Sequence, residues 1–108
     1  MNSKIQILEP TGILNATKGN EIRREINDIV SAGAEKLLID MKDVTFIDSS
    51  GLGALVSVMQ SLRKTNGELF VCSINAQVKM IFELTKVDRI LQILEDREEF
   101  QRKVMTTP

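Results

Sequence analysis

Short apolar runs alternate with amphipathic helical patterns along the chain. The runs predict four strands, because they are short, apolar and bounded by turn residues. They cover Ile5–Leu8, Lys36–Asp40 with a continuation at Val44–Ile47 after a bend, 68–74 and 90–94. The run at 68–74 is nearly all apolar, which predicts a central strand. Because parallel strands need a crossover, the alternation predicts an α/β fold with a mostly parallel sheet of about four strands and about four helices.

Capping residues mark the predicted helix starts. Asn15 or Thr17 can cap the first helix, since their side-chain oxygens can accept hydrogen bonds from the free N–H groups of a first turn. Asn75 can cap the third helix, and Asp96-Arg97-Glu98-Glu99 forms a capping box for the fourth. The second helix is expected to follow directly after Ser50.

The segment VTFIDSSGLGALVSVM, residues 44–59, contains the strongest candidate for a functional site. Its polar centre, Asp48-Ser49-Ser50, joins a strand to a helix, and one serine is enough to cap that helix. The other hydroxyl is then either ordinary loop filler or functional. Gly51 and Gly53 in the first turn each cost about 1 kcal/mol of helix stability against alanine. Close approach of another chain's backbone would explain them, so we expect a protein-binding site here.

Length, charge and cysteine content limit the possible partners. The 108 residues fit one domain, 1–108, with 43% hydrophobic residues to form a core. The net charge of -1 gives no electrostatic basis for binding nucleic acid or an anionic membrane surface. Apolar stretches fall far short of the ~20 residues of a membrane-spanning helix. The single cysteine, Cys72, is expected to be buried in a strand and suits a reducing compartment. We therefore expect a cytoplasmic protein.

The chain has no histidine, which excludes Ser-His-Asp and Cys-His catalytic sites and His-based metal sites. A dinucleotide fingerprint at Gly51-Leu52-Gly53 fails because Val56 stands where the third glycine belongs. The phosphate-loop pattern over residues 12–18 fails because Thr17, not a glycine, stands directly before Lys18. Asp40 with Asp43, or Asp48 alone, could in principle do acid–base work. None of them has a second group at matching spacing, so they are expected to be solvated turn residues. We expect no metal, no cofactor and no catalytic residue.

The sequence VTFIDSSGLGAL, residues 44–55, resembles the signature of the STAS domain, in particular of the small bacterial anti-sigma-factor antagonists. Similar segments at 12–15, 38–40, 67–72 and 75–84 extend the resemblance over nearly the whole chain. The family usually has a further strand ahead of the one that leads into residues 12–15, and we expect this strand to be missing or very short here. Asn15 replaces an aspartate of the family's turn, which keeps the capping ability and removes a charge.

The resemblance implies a switch protein that is not itself an enzyme. Family members bind an anti-sigma factor that is also an ATP-dependent serine kinase, and this binding frees the sigma factor. The kinase then phosphorylates the serine directly after the aspartate, which is Ser49 here, with Ser50 as the second choice. A serine phosphatase reverses the modification. The expected partner-binding residues are Asn15, Asp48, Ser49, Ser50, Gly51, Leu52 and Gly53.

Other functions stay open on the sequence alone. The main alternative is a constitutive STAS scaffold or adaptor in a signalling complex, without serine phosphorylation. A phosphoaspartate receiver would need an acidic cluster for Mg²⁺, whereas the first strand ends in Leu8-Glu9-Pro10, with a single acid. A hydrolase with Ser49 as nucleophile would need a carboxylate or a lysine as its base, and no lysine lies close to Ser49 in sequence.

Overall fold

Two strands precede each of the first two helices in residues 5–105, the part of the chain that the computed structural model describes. The strands are β1 (Ile5–Leu8), β2 (Gly12–Leu14), β3 (Lys36–Asp40), β4 (Val44–Ile47), β5 (Glu68–Cys72) and β6 (Gln92–Leu94). The helices are α1 (Ala16–Ser31), α2 (Ser49–Lys64), α3 (Ala76–Leu84) and α4 (Arg97–Phe100). A 3₁₀ turn at Val87–Arg89 precedes β6, and a π-helical turn at Gln101–Met105 continues α4.

Four parallel strands form the main sheet in the order β1-β3-β5-β6. Each crossover leads to the neighbouring strand, and right-handed crossovers of this kind place their helices on one face of the sheet. The larger core cluster accordingly joins side chains of α1, α2 and α3 to one face of β3 and β5. The predicted α/β fold, with four helices and a mostly parallel sheet in which β5 is central, is confirmed.

The prediction that Val44–Ile47 continues the preceding strand is wrong. Beyond Asp40 the chain turns sharply: the N–H of Lys42 donates to Asp40 Oδ1 (3.1 Å), and the N–H of Val44 donates to the carbonyl of Met41 (3.0 Å). β4 therefore leaves the main sheet and pairs in parallel with β2, which is too short for its own sequence to predict. A strand ahead of β1 would fall on residues 1–4, which lie outside the described residues.

Three of the predicted caps are confirmed. Asn15 Oδ1 accepts from the N–H of Lys18 (3.1 Å), and Asn75 Oδ1 accepts from the N–H of Val78 (2.9 Å). In the fourth helix Asp96 Oδ1 accepts from the N–H of Glu99 (2.8 Å). The Glu99 carboxylate reaches back to the N–H of Glu95 (2.6 Å) rather than to that of Asp96. This backbone hydrogen bond, followed by the one from Lys103, holds the pKa of Glu99 below its ordinary value.

The opposite face of the sheet is covered by α4 and the turn after it. Phe100 is fully buried there and meets Phe70 edge to face, with ring centroids 5.4 Å apart. Cys72 lies in the same small cluster and is buried, as predicted. The expectation of a solvated Asp40 is wrong. Its side chain is 2% exposed and pairs with Arg97 of α4 (3.1 Å), an ion pair that no local sequence signal could reveal.

Candidate functional site

The N-termini of α1 and α2 lie side by side. β2 and β4 are parallel neighbours, and each continues into a helix after a single capping residue, Asn15 or Asp48. The N–H of Asp48 donates to the carbonyl of Leu14 (3.2 Å), which connects the two strand ends. Further along, the helices touch closely, since a Cβ built on Gly19 of α1 would lie 2.8 Å from Ala54 Cβ of α2. The fold thereby brings the predicted Asn15 and the Asp48 segment to one edge of the molecule.

The cap of α2 is Asp48, not a serine. Asp48 Oδ1 accepts from the N–H of Gly51 (2.9 Å). Ser49 and Ser50 are both exposed, and among the described contacts neither hydroxyl has a hydrogen-bond partner. The prediction that one serine caps the helix is wrong, because Asp48 is the cap and both hydroxyls stay free. The segment therefore presents two hydroxyls that the fold itself does not use.

Gly51 and Gly53 have different structural roles. A Cβ on Gly51 would lie 2.1 Å from the carbonyl oxygen of Leu14, so the contact between α2 and β2 requires this glycine. A Cβ on Gly53 would meet nothing within 4 Å. Internal packing thus explains Gly51 without a partner, contrary to the expectation from sequence, and leaves Gly53 unexplained. Gly53 lies four residues after Ser49, on the same face of the helix.

The remaining predicted residues divide by exposure. Leu52 is 8% exposed and belongs to the core, so it supports the helix and offers little surface. Asn15 and Asp48 are half-buried, because their side chains are turned toward the first-turn N–H groups that they cap. Ser49, Ser50 and Gly53 form the exposed part of the candidate site.

Two apolar residues near the site were not predicted. Ile13 of β2 and Phe46 of β4 are register partners and are 53% and 45% exposed. Phe46 precedes Ser49 by three residues, so their Cα atoms are at most about 10 Å apart. Strict alternation would have placed Thr45 and Phe46 on opposite faces, but both are exposed, so the period-2 pattern gave no usable signal.

Side-chain amides at the start of α3 form hydrogen bonds with the backbone of β4. The N–H of Ile47 donates to Gln77 Oε1 (3.1 Å), and Gln77 Nε2 donates to the carbonyl of Ile47 (3.3 Å). Asn75 Nδ2 donates to the carbonyls of Val44 (3.1 Å) and Thr45 (3.2 Å). Among the strands of residues 5–105, β4 pairs with β2 alone, and these amides make hydrogen bonds that a second neighbouring strand would otherwise make.

The candidate site combines two free hydroxyls with a single carboxylate. From Ser49 to Leu62, α2 has no charged residue, and the Asp48 carboxylate is engaged in capping. Among residues 5–105, no cluster of His, Cys, Asp or Glu is placed to hold a metal ion. The helices in this part of the chain lack the length and apolar character of a membrane-spanning helix. Within residues 5–105 the strand order of the main sheet runs in one direction, β1-β3-β5-β6.

Comparison with known proteins agrees with this architecture. The STAS domain family profile matches residues 2–100. A Thermotoga maritima protein assigned as an anti-sigma factor antagonist is 31% identical over 104 residues, with 92% of each chain covered. The crystal structure of an antagonist so assigned from Thermotoga maritima superposes with a TM-score of 0.85 at 29% identity, covering 93% of this chain and 86% of that one.

The Bacillus cell-fate determinant SpoIIAA has the same fold. Its unphosphorylated form gives a TM-score of 0.76 at 18% identity, covering 99% of this chain and 94% of that one. Its phosphorylated form gives 0.71 at 19% identity, covering 94% of each. With the family profile spanning nearly all described residues and the Thermotoga relative aligned along almost its full length, this chain belongs to the STAS domain family, among the anti-sigma-factor antagonists.

Proposed function

We propose that this protein is a cytoplasmic anti-sigma-factor antagonist controlled by phosphorylation of Ser49. The unmodified form binds an anti-sigma factor that is also a serine kinase, and this binding releases the sigma factor. The observation that carries the proposal is the exposed, unpartnered Ser49 hydroxyl at the start of a helix whose cap is already supplied by Asp48. The solved phosphorylated form of SpoIIAA supports it by showing that a protein of this fold accepts phosphate.

The helix geometry favours Ser49 over Ser50. Ser49 shares its face of α2 with exposed Gly53, whereas Ser50 shares its face with Ala54, which is fully buried against α1. A kinase active site must surround the acceptor hydroxyl closely, and the missing side chain at Gly53 leaves room for that approach. Ser49 therefore has the freer surroundings of the two.

In the transfer step the Ser49 oxygen forms a bond to the γ-phosphorus of ATP, and the bond from that phosphorus to the bridging oxygen of ADP breaks. The hydroxyl proton passes to a base of the kinase, because α2 has no charged residue near Ser49 and Asp48 is occupied by its cap. In the reverse step the phosphatase directs water onto phosphorus, which releases the serine oxygen and inorganic phosphate. The chain itself is a substrate and a binding module, not an enzyme.

Phosphate at Ser49 ends the complex by local electrostatics. It adds about -1.5 to -2 charge units next to the Asp48 carboxylate. In a desolvated contact this charge is strongly unfavourable, whereas the free first-turn N–H groups of α2 and the helix dipole accommodate it in the isolated protein. The backbone therefore needs little rearrangement, and the ¹⁵N–¹H spectrum outside the start of α2 should stay unchanged on phosphorylation.

Incubation with anti-sigma-type serine kinases and ATP, followed by mass spectrometry, tests the proposal. We expect phosphate on Ser49, its loss in Ser49→Ala and its retention in Ser50→Ala. Binding to the kinase should fall in Ser49→Asp, with Ser49→Ala as the uncharged control. If the protein binds such a kinase but carries no phosphate at Ser49 or Ser50, the switch is refuted and a constitutive adaptor remains.

A further inference from the structure

The backbone of Ile47, two residues before Ser49, is hydrogen-bonded to a side chain at the edge where a neighbouring strand would normally pair. Both backbone groups of Ile47 pair with the carboxamide of Gln77, at 3.1 and 3.3 Å. Ile47 is 1% exposed, so in the folded protein its backbone groups are shielded from solvent and are paired by the carboxamide. A carboxamide carries one donor and one acceptor side by side, which matches the N–H and C=O of a single strand residue.

The next residue is held from the opposite edge. Asp48 donates its N–H to the carbonyl of Leu14 on β2 (3.2 Å). Successive residues of a strand direct their backbone groups to alternate edges, so Ile47 faces α3 and Asp48 faces β2. The two residues that lead into Ser49 are thus fixed from opposite edges. Asp48 is bonded to the β2 backbone, and Ile47 is bonded to the Gln77 side chain.

We propose that Gln77 is a positioning residue for the phosphorylation site. By fixing Ile47 it sets the direction in which the chain enters α2, and with it the placement of the Asp48 cap and the Ser49 hydroxyl. It also connects α3 to this site, because Gln77 lies in the first turn of α3 behind the Asn75 cap. The effect on phosphorylation rests on the function proposed above, whereas the positioning of the backbone does not.

The role of Gln77 is local because β4 has few other constraints. It is a four-residue strand whose partner β2 has three residues and an irregular register between Gly12 and Ile13. The bonds from Asn75 reach only its beginning, at Val44 and Thr45. Without the Gln77 carboxamide, the end of β4 next to Ser49 has backbone support on one edge only.

Backbone dynamics test the inference directly in the purified protein. We expect hydrogen exchange of the Ile47 amide to accelerate about tenfold or more in Gln77→Leu, since the leucine has similar length and no hydrogen-bonding atoms. In Gln77→Glu the carboxylate still accepts from Ile47 but cannot donate, so protection should be partly restored. The matched control is Gln92→Leu in β6. In this variant the Ile47 amide should exchange as in the wild-type protein.

Kinase assays on the same variants test the consequence. We expect kcat for Ser49 phosphorylation to fall by on the order of tenfold in Gln77→Leu, with KM less affected, because a misplaced hydroxyl costs reactivity more than docking. Gln77→Glu should recover part of kcat, and Gln92→Leu should match wild type. A merely stabilising residue would leave both constants unchanged at temperatures well below unfolding.

The outcomes separate this inference from the proposed function. Unchanged Ile47 exchange and an unchanged Ser49 amide resonance in Gln77→Leu overturn the positioning role. Altered exchange with wild-type kcat overturns its link to phosphorylation. Absence of phosphate on Ser49 in the wild-type protein overturns the proposed function instead, and the exchange measurement then decides the role of Gln77 alone.

Discussion

Gly51→Ala and Gly53→Ala each add one methyl group to the first turns of α2, and the structure predicts opposite effects on stability. At Gly51 the new Cβ would stand 2.1 Å from the carbonyl oxygen and 2.7 Å from the carbonyl carbon of Leu14. Both distances are far inside van der Waals contact, and the neighbour is backbone, so α2 and β2 must move apart by more than 1 Å. That movement also weakens the hydrogen bond from Asp48 to Leu14.

The magnitude for Gly51→Ala follows from three contributions. Overpacking against rigid neighbours costs up to about 3 kcal/mol. Loss of the Asp48–Leu14 hydrogen bond costs about 1 kcal/mol. The gain in helix propensity returns about 1 kcal/mol. We therefore expect the free energy of unfolding to fall by about 3 kcal/mol.

At Gly53 only the propensity gain remains, because the added Cβ meets no atom within 4 Å. The free energy of unfolding should rise by about 0.8 kcal/mol. If Gly53 is kept free of a side chain for a partner, the same substitution should weaken binding to an anti-sigma kinase while stabilising the protein. Such a gain in stability with a loss of binding separates an interface role from a folding role.

Urea unfolding followed by circular dichroism measures both variants against wild type. A Gly51→Ala variant that stays within about 0.5 kcal/mol of wild type, the range of an ordinary surface substitution, would refute a close contact between α2 and β2 at this position. The prediction for Gly53 is refuted if alanine lowers stability. Wild-type affinity of Gly53→Ala for the kinase would remove Gly53 from the interface while leaving the stability prediction intact.

Further predictions concern the packing of two phenylalanines and the ionisation of Cys72 and Glu99. Phe100→Ala should lower the free energy of unfolding by about 3–5 kcal/mol in urea titrations, whereas Phe46→Ala, at a side chain that is 45% exposed, should cost much less. Burial raises the pKa of the Cys72 thiol above its ordinary 9.0, so its contribution to stability is present below pH 9 and is lost as the pH rises further; Cys72→Ala should lack this loss in an alkaline unfolding series. The lowered pKa of Glu99 has the opposite effect on the pH dependence of stability. Its contribution to stability is present above the ordinary carboxyl range and is lost as the pH falls. Acid titration of Glu99→Gln should therefore show a smaller loss of stability than the wild-type protein.

Local signals predicted most of the fold. The main-sheet strands and the caps at Asn15, Asn75 and Asp96 depend on residues within a few positions of one another, so periodicity and side-chain chemistry were sufficient. The β2–β4 pair was missed because Gly12–Leu14 is three residues long and has no period. The departure of β4 from β3 depends on a partner about thirty residues away in sequence, which no local pattern encodes.

The structure of the segment that the sequence singled out, residues 44–59, differs in detail from what was predicted. Aspartate and serine cap helices about equally well, so the sequence could not assign the cap to Asp48. The role of Gly51 depends on the Leu14 carbonyl, which comes close only in the folded molecule. Leu52 carried a usable signal, since it shares the apolar helical spacing that places it in the core. The pairing of Gln77 with Ile47 had none, because a glutamine in a first helical turn is usually solvated.

The position of α4 has a consequence for how the chain folds during synthesis. Within residues 5–105, Leu38 and Phe70 lie on the sheet face that α4 and the turn after it cover. These are the final described elements to leave the ribosome. A nascent chain that has completed β1 to β5 thus exposes an apolar surface until Phe100 emerges. During this interval the growing polypeptide is most susceptible to aggregation and to capture by chaperones.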